Sequence, residues 1–407
     1  MKKSIFKAIH LLAFTTLIAT AVTSCGRSAT EDVVAPTGPT VNPAKFEGHI
    51  TTGQTVTLDA TQTYHLTGSL IVDNGATLVI PAGTHIVGEK GATYLLVDRG
   101  GKIFINGTAA KPVLFDGAQH GQGYWGGVVL LGNAPSNRSA AGTSTSELGD
   151  LTYGGTNSLD SSGIINYCII LDTGFKYNPE KEFNGLSLFG CGSGTTISYV
   201  YIADGADDPF ESFGGSPKYD HLVMIGNQDD SFDWTEGFSG SASYIYAARN
   251  KKYQNGTDPG NRGIEADTQD TDPNTTNGNG VSNPDISNAT FIGNTAGSES
   301  QGMKLRAGSN GKFNNIVIAN FSTGLDFETD RTYDWFKGGA YLNNIKFVNV
   351  ATKWKSKAST KYPTAPDMST AFTESTTATG AGNGTALPDW AKGWTGLTSW
   401  DIADSSN

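Results

Sequence analysis

The chain has 407 residues, with 39 acidic and 28 basic side chains, a formal charge of −11 and 52 glycines. That acidic balance excludes nucleic acid and anionic lipid headgroups as electrostatic partners; neutral glycans, cations, peptides and other proteins remain. The sequence also lacks a zinc-type Cys/His pattern, a phosphate-cradling glycine loop ending in Lys-Ser/Thr and a nucleophile elbow, and so lacks the usual signatures of those chemistries.

In chain order, the first element is a processing signal over residues 1–24. Lys2 and Lys3 precede a mostly apolar run from Ile5 to Ala21, and Val22-Thr23-Ser24-Cys25 resembles a lipobox. The run is short and interrupted by polar residues, so a spanning helix is not expected. Cleavage before Cys25 would make it the lipidated first residue, and loss of Lys2, Lys3 and Lys7 would take the charge to about −14. Residues 25–45 then read as an extended, mobile tether rich in Ser, Thr, Pro and Ala. Gly26 and Arg27 do not resemble an inner-membrane retention signal, so the expected location is the outer membrane at the cell surface.

From residue 46 to 350 short alternating runs dominate, bounded by Gly, Asn and Asp, the pattern of an all-β chain. Early runs are Thr77–Ile80, His85–Val87, Tyr94–Val97, Lys102–Ile105 and Val113–Phe115, with a turn at Pro81–Thr84. A small–apolar–variable–apolar motif then recurs, as in Gly185-Leu-Ser-Leu188, Ser231-Phe-Asp-Trp234 and Gly324-Leu-Asp-Phe327. Asp207-Asp208-Pro-Phe-Glu211 aligns with Asp229-Asp230-Ser-Phe-Asp233 at an offset of 22 residues, and Met303 with Leu325 at the same offset. Repeats of this period indicate a solenoid, and strand-like units of this length indicate a right-handed parallel β-helix with three short strands per coil. Asn227, Asn294, Asn320 and Asn349 follow strands and are expected in stacked turns. Two irregular stretches, Asn133–Ser162 and Asn250–Pro284, read as long loop insertions. Residues 351–407 read as a loose excursion whose Trp390, Trp394 and Trp400 cap the open end, or alternatively form a sugar-stacking platform. Cys168 and Cys191 read as small buried and turn residues rather than a disulfide.

The variable position of the motif runs Ser187, Glu211, Asp233, Glu265, Lys304, Asp326. Stacked in a parallel coil these lie ~4.8 Å apart, and each adjacent acid pair would repel by ~3 kcal/mol at an effective dielectric near 20. The acids can share protons, splay into water or bind a cation. Asp207, Asp208, Asp229, Asp230 and Asp267 add oxygens from adjoining turns. With Glu211, Asp233 and Glu265 they form a candidate metal set for Ca2+, which takes six to eight oxygen ligands. One Asp of each Asp-Asp pair is expected to cap its turn instead. Glu211, Asp230 and Asp233 are the candidate catalytic carboxylates, and Trp234, Asp326 and Lys304 the candidate ligand contacts.

The segments Trp125-Gly-Gly-Val-Val-Leu-Leu-Gly-Asn-Ala-Pro135, Asp207-Asp-Pro-Phe-Glu-Ser-Phe-Gly-Gly215, Gly226-Asn-Gln-Asp-Asp-Ser-Phe-Asp-Trp-Thr-Glu-Gly237 and Arg262-Gly-Ile-Glu-Ala-Asp267 resemble a family of secreted or lipid-anchored Bacteroidota proteins. The resemblance implies a right-handed parallel β-helix of the pectate-lyase-like superfamily, and an analogy with surface lipoproteins that accompany TonB-dependent transporters. The leading expectation is a surface lipoprotein that presents a rigid face to a glycan or peptide and serves nutrient uptake. A calcium-dependent polysaccharide lyase or a glycoside hydrolase is the second. It is disfavoured because the only basic candidates, Arg262, Lys304 and Arg306, lie outside the acidic repeats. A structural or adhesive surface protein is the third.

Overall fold

The computed structural model describes residues 41–148, 151–178, 181–249, 261–272, 280–297 and 299–399. Cys25 and most of the expected tether lie outside these residues. The described residues wind into a right-handed parallel β-helix. An eleven-stranded parallel sheet runs from Gly48–Ile50 to Thr352–Ser356, and a fourteen-stranded sheet from Thr55–Thr57 to Phe372–Glu374.

Strand alternation builds the core. In Thr196–Ala203 the side chains of Ile197, Val200 and Ile202 point inward and are fully buried. They stack on Tyr219, Leu222 and Met224 of the next coil. No single coil could bury this stripe alone; its neighbours complete it.

The longer strands of the second sheet bend sharply, dividing it into two flat faces and giving the coil three sides. The bend falls at a left-handed residue in successive coils: Tyr167, Tyr199, His221 and Tyr244, then Asn288, Asn315 and Asn344, with φ between 48° and 60°. That conformation is costly for a side chain with a Cβ, and stacking along the axis offsets the cost. Successive rings lie 4.3, 4.4 and 4.5 Å apart between centroids from Tyr167 to Tyr244. Asn315 then donates to Asn288 Oδ1 at 2.8 Å. The expected turn asparagines act similarly: Asn349 donates to Asn320 Oδ1 at 2.9 Å, and Asn227 Oδ1 accepts from Gly205 N–H at 2.9 Å. Cys168 and Cys191 are free and buried, and burial pushes the Cys191 thiol up to about 12.

Three features differ from the sequence-based expectation. The coil does not stop at residue 350, because Thr352–Ser356 and Phe372–Glu374 add to both sheets. A nine-residue helix, Asp330–Gly338, fills one connection. And the tail bearing Trp390 and Trp394 is a lateral strap instead of an end cap, while Trp400 lies outside the described residues. Thr379 N–H donates to Asn315, Gly384 O accepts from Thr290, and Thr385 O accepts from Tyr246. Trp390 then meets His221 edge-on at 4.8 Å and Trp394 meets Tyr167 at 5.6 Å. The strap thus runs back along the outside of the coils. Its apolar side chains, Ala381, Leu387, Ala391, Trp394 and Leu397, cover Val223, Ile225, Tyr246 and Ile292.

Of the first long insertion, Thr143–Thr145 and Thr152–Gly154 form an antiparallel hairpin, and a second small hairpin pairs Lys176–Asn178 with Lys181–Glu182. Leu148, Tyr153 and Phe183 from these excursions pack on Leu96, Val129, Leu131 and Phe189 of the eleven-stranded sheet. Among the described residues no helix is long and apolar enough to cross a membrane.

Candidate functional site

The eleven-stranded sheet aligns the acidic column in register. Ser187 pairs with Glu211, Glu211 with Asp233, Asp233 with Glu265, Glu265 with Lys304 and Lys304 with Asp326. The expected electrostatic conflict is therefore real, because three carboxylates stack on consecutive coils. The strands of Glu211 and Asp233 are each entered from a turn carrying an Asp pair, so Asp207, Asp208, Asp229 and Asp230 stand beside the column.

The cluster divides into two halves of different chemistry. In the first, guanidinium groups neutralise the acids. Arg262 contacts Asp230 at 3.0 Å, Glu265 at 3.1 Å and Glu299 at 2.7 Å. Arg306 contacts Glu265 at 3.1 Å and Asp267 at 2.8 Å. Asp230 also accepts from the backbone N–H of Arg262, on the next coil, at 2.6 Å. Burial still pushes Asp230 up to about 6, against the pull of Arg262. It pushes Glu265 up to about 8, with Asp230 adding to the rise and both arginines opposing it.

In the second half the nearby guanidinium is that of Arg249, which donates to the carbonyl oxygens of Asn227 and Asp229, the latter at 2.7 Å. Burial first, then repulsion from other carboxylates, raises Asp207, Asp208, Glu211 and Asp233 well above the carboxylate range. The charged neighbours acting most on Asp208 are Asp229, Asp233, Asp207 and Asp230. Carboxylate oxygens of Asp207, Asp208 and Asp229 lie within 4.8 Å of one another, as do those of Asp208, Glu211 and Asp233. Asp208 belongs to both groups and is only 6% exposed. Its Oδ1 and that of Asp233 are buried without a hydrogen-bond partner among the described residues. Orphaned buried carboxylate oxygens are costly. An all-oxygen donor set with two of them suits a hard cation. Asp207, Asp208, Glu211, Asp229 and Asp233 could hold it, whereas Asp230, Glu265 and Asp267 are occupied by arginine.

Sequence reasoning missed the residues that enclose the cluster. Asn184 donates to Glu211 Oε2 at 2.6 Å. Glu147, on the 143–154 hairpin, adds a further carboxylate. Burial pushes it up to about 7, with Lys181 opposing and Glu236 reinforcing the shift. Glu236 latches this hairpin to the sheet: it accepts from Ser136 Oγ at 2.7 Å, from Arg138 Nε at 2.8 Å and from the Tyr153 hydroxyl. Arg138 also grips Asp270 at 2.6 Å and 3.1 Å, tying the two long insertions together. For Glu147, Ser136, Arg138 and Tyr153 the only sequence signal was their place in a long polar insertion; Glu236 lay within the segment Gly226–Gly237 without a role.

The three expected ligand contacts are not presented to a ligand. Trp234 is 0% exposed, faces the core and donates to Ser309 Oγ at 3.1 Å. Lys304 and Asp326 pair at 2.8 Å, and both are buried. A cavity of about 560 Å3 lies beside the helix, lined by Asp272, Asp330, Arg331, Asp334 and Ser359. None of the column residues lines it; Asp272 pairs with Arg331 at 3.2 Å and Asp334 with Lys361 at 2.6 Å, and Asp330 accepts from the Ser359 hydroxyl and the Lys361 backbone N–H. The unpaired chemistry is at the column.

No curated protein matches the chain. Among solved structures, it is 12% identical to the enzymatically active domain of tailspike protein 2 from bacteriophage CBA120, with a TM-score of 0.25; the match covers 73% of this chain and 38% of that one. The full-length tailspike protein 2 from an Escherichia coli O157:H7 bacteriophage is also 12% identical, with a TM-score of 0.24, and 84% of this chain and 44% of that one are covered. The chain thus spans less than half the length of either tailspike, and similarity at this level carries no functional information. A family model for a pectate-lyase-like β-helix domain matches residues 48–395. With most of its length matched, on a right-handed parallel coil, the chain belongs to the pectate-lyase-like β-helix domain family.

Proposed function

We propose that this protein is a lipid-anchored β-helix of the outer cell surface that binds a divalent cation, calcium in the first instance, at Asp207, Asp208, Glu211, Asp229 and Asp233. Through that cation and the flanking loops it holds a glycan or peptide ligand for an uptake system, with a TonB-dependent transporter as the partner class. The observation that carries the cation reading is Asp208, a buried carboxylate with an orphaned oxygen whose strongest charged neighbours are all acids. A bound cation would add positive charge beside these acids. The anchor and location rest on Lys2, Lys3 and the lipobox ending at Cys25.

The test is a soluble chain beginning at Gly26, titrated with calcium by calorimetry and screened against a polysaccharide panel with and without calcium. Calcium-dependent retention without new reducing or unsaturated ends is the expected outcome. Absence of calcium binding, or loss of none of it in Asp208→Asn, would sink the cation reading. Labelled palmitate should enter the full chain and not Cys25→Ala.

A hydrolytic reading has one observation in its favour. Glu147, pushed up to about 7 by burial, is the charged neighbour that acts most on Glu211, whose own carboxyl burial raises first. New reducing ends that vanish in Glu211→Gln would replace the binding reading with this one.

A further inference from the structure

The helix Asp330–Gly338 has two faces. Thr332, Tyr333 and Phe336 are buried on one, where the Tyr333 hydroxyl donates to Lys357 O at 2.7 Å and fixes the helix on the coil. Asp330, Arg331 and Asp334 fall on the other, and there they line the cavity of about 560 Å3, a volume within the range of small-molecule sites. Asp272, from the second long insertion, and Ser359 and Thr360, from the loop after the last strand of the eleven-stranded sheet, form its remaining walls.

Every charged side chain on this lining is held in place. Asp272 pairs with Arg331 at 3.2 Å, and Asp330 accepts from the Ser359 hydroxyl and, at 3.1 Å, from Lys361 N–H. Asp334 accepts from Lys361 Nζ at 2.6 Å and from the Tyr362 hydroxyl at 2.7 Å. Thr329 lines the cavity at φ 72° and ψ 149°, a costly conformation for a β-branched residue, and its hydroxyl accepts from Gly308 N–H at 3.0 Å. Such partners fix the rotamers, while an ionised carboxylate keeps acceptor sites over for a ligand.

This pairing also selects the ligand. Acids matched by bases do not call for a metal ion, and bases matched by acids do not call for a phosphate or a carboxylate. Polar walls do not suit an apolar molecule. What fits is an uncharged group that donates to Asp330 and Asp334 and accepts from Arg331 and Thr360 at once, and a ring of neighbouring hydroxyls does both. We propose that the cavity beside the helix is a sugar pocket for one neutral hexose unit, needing no metal ion and separate from the acidic column. It goes beyond the cation-held ligand above and does not rest on it.

The probes are the methyl α- and β-glycosides of glucose, galactose and mannose, each added with EDTA to the chain from Gly26. The readout is saturation transfer from protein to sugar protons. At least one glycoside should receive it, more strongly than the corresponding uronate or amino sugar, and calcium should leave it unchanged. Thr360 is exposed, so Thr360→Trp can fill the cavity at an unchanged melting temperature and should cut the signal about fivefold or more. If the tryptophan lowers the melting temperature, Asp334→Ala takes its place with the same expectation. Asp208→Asn should keep the full signal. Transfer to none of the glycosides would overturn the pocket, as would transfer that the cavity variant leaves intact. Transfer that requires calcium or vanishes in Asp208→Asn would put the sugar at the acidic column, overturning the pocket while supporting the cation-held ligand. A stronger signal from the uronate or the amino sugar would overturn the neutral class.

Discussion

At Asp208 the sign of a mutation depends on the cation. Without one, the protein must bury either a charge or a proton taken up at a cost, so Asp208→Asn should stabilise the metal-free protein by ~1–3 kcal/mol. In saturating calcium the same change removes a ligand and should lower the melting temperature relative to the unaltered protein. Thermal unfolding with EDTA and with calcium checks both arms, and the same sign in both would contradict a cation ligand. The pH dependence follows from the same residues. Asp230 near 6, Glu147 near 7 and Glu265 near 8 all lie above their ordinary range, chiefly through burial. Each raised acid binds its proton more tightly in the folded than in the unfolded state, so stability falls as pH rises from the unfolded value through the folded one. The metal-free protein should therefore lose stability steadily between about pH 4 and 8. Calcium, which favours the ionised forms, should flatten that slope, as melts across the pH range will show.

At the scale of the strand, the coil and its register were legible in the sequence because a solenoid repeats its local pattern, and a 22-residue offset carries side-chain parity with it. That parity also contradicts one expectation. If Asp233 points outward, Phe232 and Trp234 must point inward, since side chains alternate, so Trp234 could have been assigned to the core from sequence alone. Lys304 and Asp326 were similarly misread: opposite charges at the same position of adjacent coils meet each other before any ligand. Glu147 was not legible, because what places it is the docking of an insertion on a distant strand. The left-handed bends lie between these cases. Tyr199, at φ 52°, is tolerated because its ring stacks on both Tyr167 and His221. Tyr199→Asn keeps a side chain that accepts this conformation, whereas Tyr199→Val puts a β-branched residue there. Urea denaturation should find the valine variant less stable than the asparagine variant by ~2 kcal/mol. Equal midpoints would mean that the bend carries no strain.

At the scale of the molecule, coils that touch only their neighbours behave as a one-dimensional stack, in which the ends can fray independently of the middle. The strap changes this. Tyr167 and Trp394 are far apart in the chain yet in contact, and between them the strap crosses coil after coil, from Asn315 through Tyr246 to His221. Burial of Leu387, Trp394 and Leu397 is worth on the order of 5 kcal/mol before the entropy of ordering the segment is subtracted. It also hides an apolar stripe, Val223, Ile225, Tyr246 and Ile292, on the outer face of the second sheet. Ending the chain after Glu374 should therefore do more than lower the urea midpoint. The transition should broaden as coils uncouple, and the bared stripe should bind a hydrophobic dye while far-ultraviolet dichroism keeps its β signature. Since the strap covers the second sheet and the acids lie on the first, calcium affinity per folded molecule should change little. A sharp transition at an unchanged midpoint would show that neighbouring coils alone make the solenoid cooperative.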